Sequence, residues 1–270
     1  MSLRNIVFIG GPRDGMSTWM DAPQWRIMSP DRVKDEMQWH EYTRIGDGSG
    51  DTWAYEFKGT HDGPLSYAVD VLDHWLEQQF PSGYQGWMAD VGAYDGITGS
   101  NSFYLEELGW TCLCVEPNGK LQDELRLRRK LVEHCACSDH SGTEILHVHD
   151  DCPPSFTSLR DNRTVDQTDP RFGSHNFGFG PNWSTEEVKV RTLDDLLESH
   201  GFPHLDVLSV DTEGTELDVL KGCDLDRWHP QVIVCEAWDH VSPIIPYLHD
   251  RHYRFIDRRG VNNLFLREET

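Results

Sequence analysis

Apolar and polar positions follow two different periods along the chain. Between about residues 65 and 80, Ala68, Val71, Leu72, Trp75, Leu76 and Phe80 recur at three- and four-residue steps. That spacing gathers them on one helical face, and Pro81 marks the stop. From Trp87 onward, short apolar runs read as strands at 87–91, 111–115, 132–137, 143–148, 187–190, 205–210 and 231–235. Helical patterns lie between them at about 100–108, 118–130, 193–199 and 215–221, with another near 241–252. The charges of the 118–130 helix are assigned to its outer face. Repeated strand–helix units predict a parallel sheet covered by helices, an α/β domain over residues 61–270. Two extended segments, 253–256 and 263–266, are parted by Arg258-Arg259-Gly260 and predict a terminal antiparallel hairpin at the sheet edge. Residues 151–185 carry no period, and a loop that long in a compact domain is commonly an active-site lid, a binding loop or a disordered segment.

The first 60 residues have another texture. Four of the ten tryptophans fall here (Trp19, Trp25, Trp39, Trp53), with glycine-rich turns at 10–15 and 46–50. Aromatic and β-branched residues at 41–45 and 52–57 flank the second turn as a hairpin, which predicts a small β-rich N-terminal module over 1–60. Gly46-x-Gly48-x-Gly50 has no helix after it and reads as the hairpin turn, not as a nucleotide loop.

Charge narrows the partners. Lys and Arg total 24 against 46 Asp and Glu, a net charge of −22. Such a surface repels phosphate backbones and anionic bilayers, so neither nucleic acid nor membrane is expected as a partner. Apolar runs such as Val207–Val210 are far shorter than the roughly 20 residues that span a bilayer. The N-terminal apolar stretch is too short for a secretory signal, so the expected location is cytoplasmic. Seven cysteines, an odd number, fit reduced thiols. Cys112/Cys114 and Cys135/Cys137 read as buried strand cysteines, because C-x-C lacks the usual zinc spacing. Oligomeric state is left open.

In an open α/β sheet ligands bind beyond the carboxyl ends of the strands. After the first strand comes Asp90-Val91-Gly92-Ala93-Tyr94-Asp95-Gly96, where Gly92 and Gly96 permit a tight turn and close approach of a ligand. Ala93 and Tyr94 break the G-x-G-x-x-G pattern, while Asp90 and Asp95 would repel phosphate and suit a cation. Glu116-Pro117 follows the second strand, 24 residues beyond Gly92, where a carboxylate can accept both hydroxyls of a ribose. Ser138-Asp139 follows the third and offers a partner for an adenine amino group. Asp211 and Glu213 stand at the end of the central strand and Glu236 at the next. These three acids are the expected catalytic groups, as a base or as anchors for a hydroxyl; a helix N-cap is the structural alternative for Asp211. Three converging carboxylates could instead hold Mg2+, the less favoured reading, so no metal ligand is assigned. His147-x-His149 reads as a solvated strand pair.

These residues together resemble the FkbM-type S-adenosylmethionine-dependent methyltransferases. The likeness runs over about residues 85–240 through the 90–96 turn, Val115-Glu116-Pro117, Ala136-Cys137-Ser138-Asp139, Val190-Arg191-Thr192-Leu193-Asp194 and the Asp206–Glu216 run with its D-x-E-G-x-E core. Ser209 departs from the pattern, which places a lysine or arginine there. The resemblance implies a Rossmann-like, seven-stranded class I methyltransferase sheet with S-adenosylmethionine as cofactor and S-adenosylhomocysteine as product. It implies that the 90–96 turn holds the methionine part, Glu116 the ribose and Asp139 the adenine. The implied reaction is O-methylation of a hydroxyl on a small-molecule or carbohydrate acceptor. The alternative is a partner- or glycan-binding protein that uses the N-terminal aromatics, with the α/β domain a non-catalytic cofactor-binding scaffold. A nicotinamide-dependent oxidoreductase is disfavoured by the broken glycine pattern. Asp151-Cys152-Pro153-Pro154 opens the long loop instead of following the central strand, so base-amino methylation has no support.

Overall fold

The computed structural model describes residues 4–9, 17–20, 26–33, 36–45, 52–62, 66–68, 72–149, 157–160, 183–237 and 242–268. Two compact units make up the chain, one built on residues 1–65 and one on the residues that follow. In the first, β1 (Arg4–Ile9), β2 (Ser17–Met20), β3 (Arg26–Val33), β4 (Glu36–Ile45) and β5 (Thr52–Asp62) form a sheet in the order β2-β1-β5-β4-β3. Strands β4 and β5 pair antiparallel, with Ile45 opposite Ala54, as the hairpin reading requires. Pro30 falls in β3, an edge strand, where a missing N–H is tolerated. Both glycine-rich turns lie outside the described residues.

The second unit is mixed α/β. Helix α1 (Leu72–Glu77) precedes β6 (Trp87–Val91), α2 (Phe103–Glu107), β7 (Thr111–Val115), α3 (Gln122–Arg128), β8 (Leu131–Glu133) and β9 (Ala136–Cys137). There follow β10 (Gly142–His149), β11 (Thr157–Ser158), β12 (Trp183–Arg191), α4 (Leu193–Ser199), β13 (Val207–Val210), α5 (Glu216–Lys221) and α6 (Leu225–Trp228). The chain closes with β14 (Val232–Glu236), α7 (Ile244–His249), β15 (Tyr253–Arg259) and β16 (Asn262–Arg267). Seven strands form one sheet in the order β15-β16-β14-β13-β6-β7-β8. Its five members from β14 to β8 run parallel, and the β15–β16 hairpin is antiparallel.

Burial explains the apolar runs. Every residue of β13 and β14 is buried, because helices cover both sheet faces and neither face needs polar side chains. Leu193, Leu196 and Leu197 of α4, Val219 and Leu220 of α5, and Ile244 and Leu248 of α7 pack with Leu208, Val210 and Ile233 in one core. Among the described residues, no helix is long and apolar enough to cross a membrane.

Two sequence expectations are corrected and one element is added. The apolar run at 132–137 is two strands in two sheets: β8 pairs with β7, whereas β9 pairs with β12 in a four-stranded sheet ordered β11-β10-β12-β9. Hydrophobic pattern alone cannot show a strand changing partners. The first helix is shorter than its periodicity, because the buried Asp73 carboxylate takes hydrogen bonds from the Tyr67 N–H (2.6 Å) and the Ser66 hydroxyl (2.6 Å), which keeps 66–68 extended. Helix α6 was not anticipated; at four residues it is too short to show a period, and Asp224 caps it through the N–H groups of Asp226 and Arg227.

Candidate active site

A cleft opens at the carboxyl ends of β6, β7 and β13. Residues 90–94 of the glycine turn line it. Gly92 and Ala93 donate their N–H groups to the Val115 carbonyl at 2.9 and 3.1 Å, which ties the turn to β7. Gly92 has φ +87°, and a Cβ there would lie 1.7 Å from the Asp211 carbonyl oxygen, so no other residue fits between the ends of β6 and β13. Tyr94 also adopts a left-handed backbone, φ 51°, which aims its N–H at Glu116 Oε2 at 3.0 Å.

Glu116 sits at the tip of β7 and is buried. Its other oxygen accepts from the Asn118 N–H at 2.8 Å. Burial pushes its carboxyl up to about 7, against the opposing pull of these two N–H donors. A carboxylate fixed from behind, with lone pairs to spare, can accept a diol. Pro117 lines the cleft beside it, and so do Cys135, Ala136, Cys137, Leu146 and Leu159, a largely apolar wall suited to a flat ring.

Asp90 lies deeper and is held by a buried network. The Ser102 hydroxyl donates to it, and Arg129 donates to Ser102 Oγ at 2.8 Å, to the Gly96 carbonyl at 3.0 Å and to Glu106 Oε2 at 3.1 Å. Burial raises the Asp90 carboxyl, while Arg129 and the hydroxyls of Ser102, Ser209 and Ser100 pull it back. Asn101 donates to Ser209 Oγ at 3.1 Å, and its own Oδ1, buried at the cleft wall, has no partner among the described residues.

At the other end Asp211, Glu213 and Glu236 converge, with one oxygen of each within 4.8 Å of the others. Asp211 and Glu213 line the cleft. Burial raises all three. Asp211 reaches about 6, whereas Glu236, joined to Asp211 by a side-chain hydrogen bond, is pressed further up by the charges of Asp211, Glu213 and Glu216. The loop that carries them is shaped by Glu216, whose Oε1 accepts from Gly214 N at 2.7 Å and Thr212 N at 3.1 Å. Glu213 takes φ 56° within that loop, a strained conformation of the kind kept at functional sites.

A sequence profile described as "Methyltransferase FkbM domain" matches residues 90–260. The chain belongs to the FkbM methyltransferase family. It is also similar to "Methyltransferase sdnD" of Sordaria araneosa, 36% identical over 62 residues that cover 20% of this chain. That match spans 24% of the length of sdnD. Residues 1–89 lie outside the FkbM match.

The FkbM domain gathers most of the expected site residues and disperses four. Asp90, Gly92, Ala93, Tyr94, Glu116, Pro117, Asp211 and Glu213 line the cleft. Glu236 meets it through Asp211 and Glu213. Asp95 instead caps its own turn, accepting from the N–H groups of Ile97 (2.9 Å) and Thr98 (2.7 Å) and pairing with Arg128 at 3.0 Å. Gly96 packs against Leu125 and does not reach the cleft. Ser138 and Asp139 are absent from the cleft wall, because β9 leads them away with the four-stranded sheet. There Asp139 sits in solvent against His140 at 2.8 Å. The preceding residues, 135–137, line the cleft instead.

Sequence reasoning missed Ser100, Asn101, Arg129 and Glu216. The polar run Gly99-Ser100-Asn101-Ser102 after the glycine turn was the available signal. Arg129 gave none, since α3 ends at Arg128 and the extended backbone of the next residue turns its side chain inward, against the outward placement of that helix's charges. From the unpatterned 151–185 segment, Thr157, Ser158 and Leu159 line the cleft, and Asn118 Nδ2 donates to Thr157 Oγ1 at 3.2 Å. All six described cysteines are buried and unpaired.

Proposed function

We propose that this FkbM-family chain is an S-adenosylmethionine-dependent O-methyltransferase acting on a hydroxyl of a small molecule or carbohydrate. The observation that carries the reading is the buried Glu116 carboxylate, braced by two backbone N–H groups beside the 90–96 turn. The sheet order agrees with the class I, Rossmann-like methyltransferase arrangement, in which the cofactor lies across the ends of the first two strands, here β6 and β7. Donor chemistry fits the cofactor as well: Glu116 for the ribose hydroxyls, the 135–137 wall for the adenine, and Asp90 with the free Asn101 oxygen for the methionine ammonium. When bound, S-adenosylmethionine supplies an electrophilic methyl group on a sulfonium.

The chain's own residues do the rest. The 90–96 turn and Asn101 orient the cofactor's amino-acid end, and positioning of this kind supplies much of the rate of a methyl transfer. Asp211 and Glu213 border the neighbouring space and receive the acceptor hydroxyl. Asp211, with a carboxyl near 6, is ionised at neutral pH and is the group that takes the hydroxyl proton. A cytoplasmic location is part of the reading, supported by the unpaired cysteines.

Calorimetric titration with S-adenosylhomocysteine tests this function. One saturable site is expected, with NAD not binding, and Glu116→Gln should weaken it by about 2 kcal/mol through loss of charge-assisted hydrogen bonds. Equal affinity in the folded variant would remove Glu116 from the ribose site.

A further inference from the structure

The acidic end of the cleft has a feature that methyl transfer leaves unused. Clusters of carboxylates are common on a chain of net charge −22, and water ordinarily screens them. This cluster is built differently. Glu236 is 2% exposed, and its Oε2 has no hydrogen-bond partner among the described residues. Asn262 stands directly opposite Glu236 in the antiparallel β14–β16 ladder, so the two side chains leave the same sheet face as neighbours. Asn262 is 6% exposed and lines the cleft, and its Oδ1 is likewise without a partner among the described residues. Two buried oxygens thus lack a donor beside two further carboxylates, Asp211 and Glu213, that crowd Glu236 within 4.8 Å. The buried Arg129 is engaged elsewhere, with Glu106, Ser102 and the Gly96 carbonyl. What all four oxygens accept in common is a positive charge.

We propose that Asp211, Glu213, Glu236 and the Asn262 side-chain oxygen form a site for one hard divalent cation of the Mg2+ or Mn2+ class. Oxygen-only donors, three of them carboxylates, favour such an ion over zinc or copper, which prefer nitrogen and sulfur. Four protein oxygens leave two of the six positions of such an ion for water or for the oxygens of an acceptor. The site shares Asp211 and Glu213 with the acceptor end of the proposed methyltransferase cleft, but cation binding is measured without cofactor, so its failure is seen separately from that of the cofactor reading.

The test is a Mn2+ titration of the intact protein, followed by the paramagnetic resonance signal of free Mn2+. One site per chain is expected above weak surface binding, and added Mg2+ should release the bound Mn2+. Glu236→Gln and Asn262→Ala should each weaken that site by at least about tenfold. Asp250→Asn, which removes an acid 78% exposed after α7, should leave it unchanged. Circular dichroism checks that the variants fold, and the wild-type titration needs no variant at all. Absence of a one-equivalent site in the wild type overturns the proposal, and so does wild-type affinity in either folded site variant.

Discussion

Two groups of carboxylates, the buried Asp90 and Glu106 and the half-buried Asp211 with the buried Glu236, belong to the same α/β unit and are treated in opposite ways. Around Asp90 the protein provides an arginine and three serine hydroxyls, so the charge is matched from within. Around Asp211 it provides mainly more carboxylates, and the group stays crowded. A matched buried charge holds structure in place. An unmatched one is the common condition of groups that meet substrate.

The largest effect is expected at the matched end. Arg129→Met should leave Asp90 and Glu106 without their counter-charge and destabilise the fold by about 3–5 kcal/mol, read from urea unfolding. A loss below about 1 kcal/mol would mean that the network does not stabilise the fold.

Next in size is pH. Glu116 is raised from 4.5 to about 7 and Asp211 from 3.8 to about 6. A carboxyl with a raised native value binds its proton more tightly folded than unfolded. Its stabilisation is therefore full below the unfolded value and is lost as pH rises through the folded one. Stability should fall between about pH 4 and 7, Glu116 alone contributing on the order of 3 kcal/mol, and melting curves across that range would show it. The affinity for S-adenosylhomocysteine should move the other way and rise through pH 7, because the ribose needs the ionised carboxylate.

At the unmatched end the sign reverses. Glu236→Gln relieves the crowding and keeps a donor toward Asp211, so without added metal at pH 8 it should stabilise the fold by about 1 kcal/mol in thermal melting. A destabilisation would show that the trio holds the fold together. Smallest is Asp139→Ala. Its carboxylate is exposed and absent from the cleft, so stability should change by less than about 0.5 kcal/mol and cofactor affinity not at all. A tenfold loss of affinity would return Asp139 to the adenine.

Local signals carried far into the fold. The runs at 87–91 and 111–115 and the helix at 193–199 are found at those residues, because an apolar period interrupted by glycine or a capping threonine is a local matter. The strand-end rule then brought Asp90, Gly92, Glu116, Asp211 and Glu213 to one cleft, since their position follows from where a strand stops. It misplaced Ser138 and Asp139 for a physical reason. Those two residues end an apolar run whose second half hydrogen-bonds to β12, more than 50 residues later, and backbone pairing at that range leaves no mark in the pattern of side chains.

Arg129 and Asn262 belong to the same class. A charged residue after a helix and an asparagine near a hairpin turn are unremarkable in sequence. One became the counter-charge of Asp90 because α3 stops a residue short of it, and the other became the neighbour of Glu236 because β16 pairs antiparallel with β14. By itself, then, the sequence determined most of the elements and which strand tips border the cleft. Only the tertiary structure decided which charges find partners, because a charge is matched by what surrounds it in space, and those surroundings are drawn from strands and helices far apart along the chain.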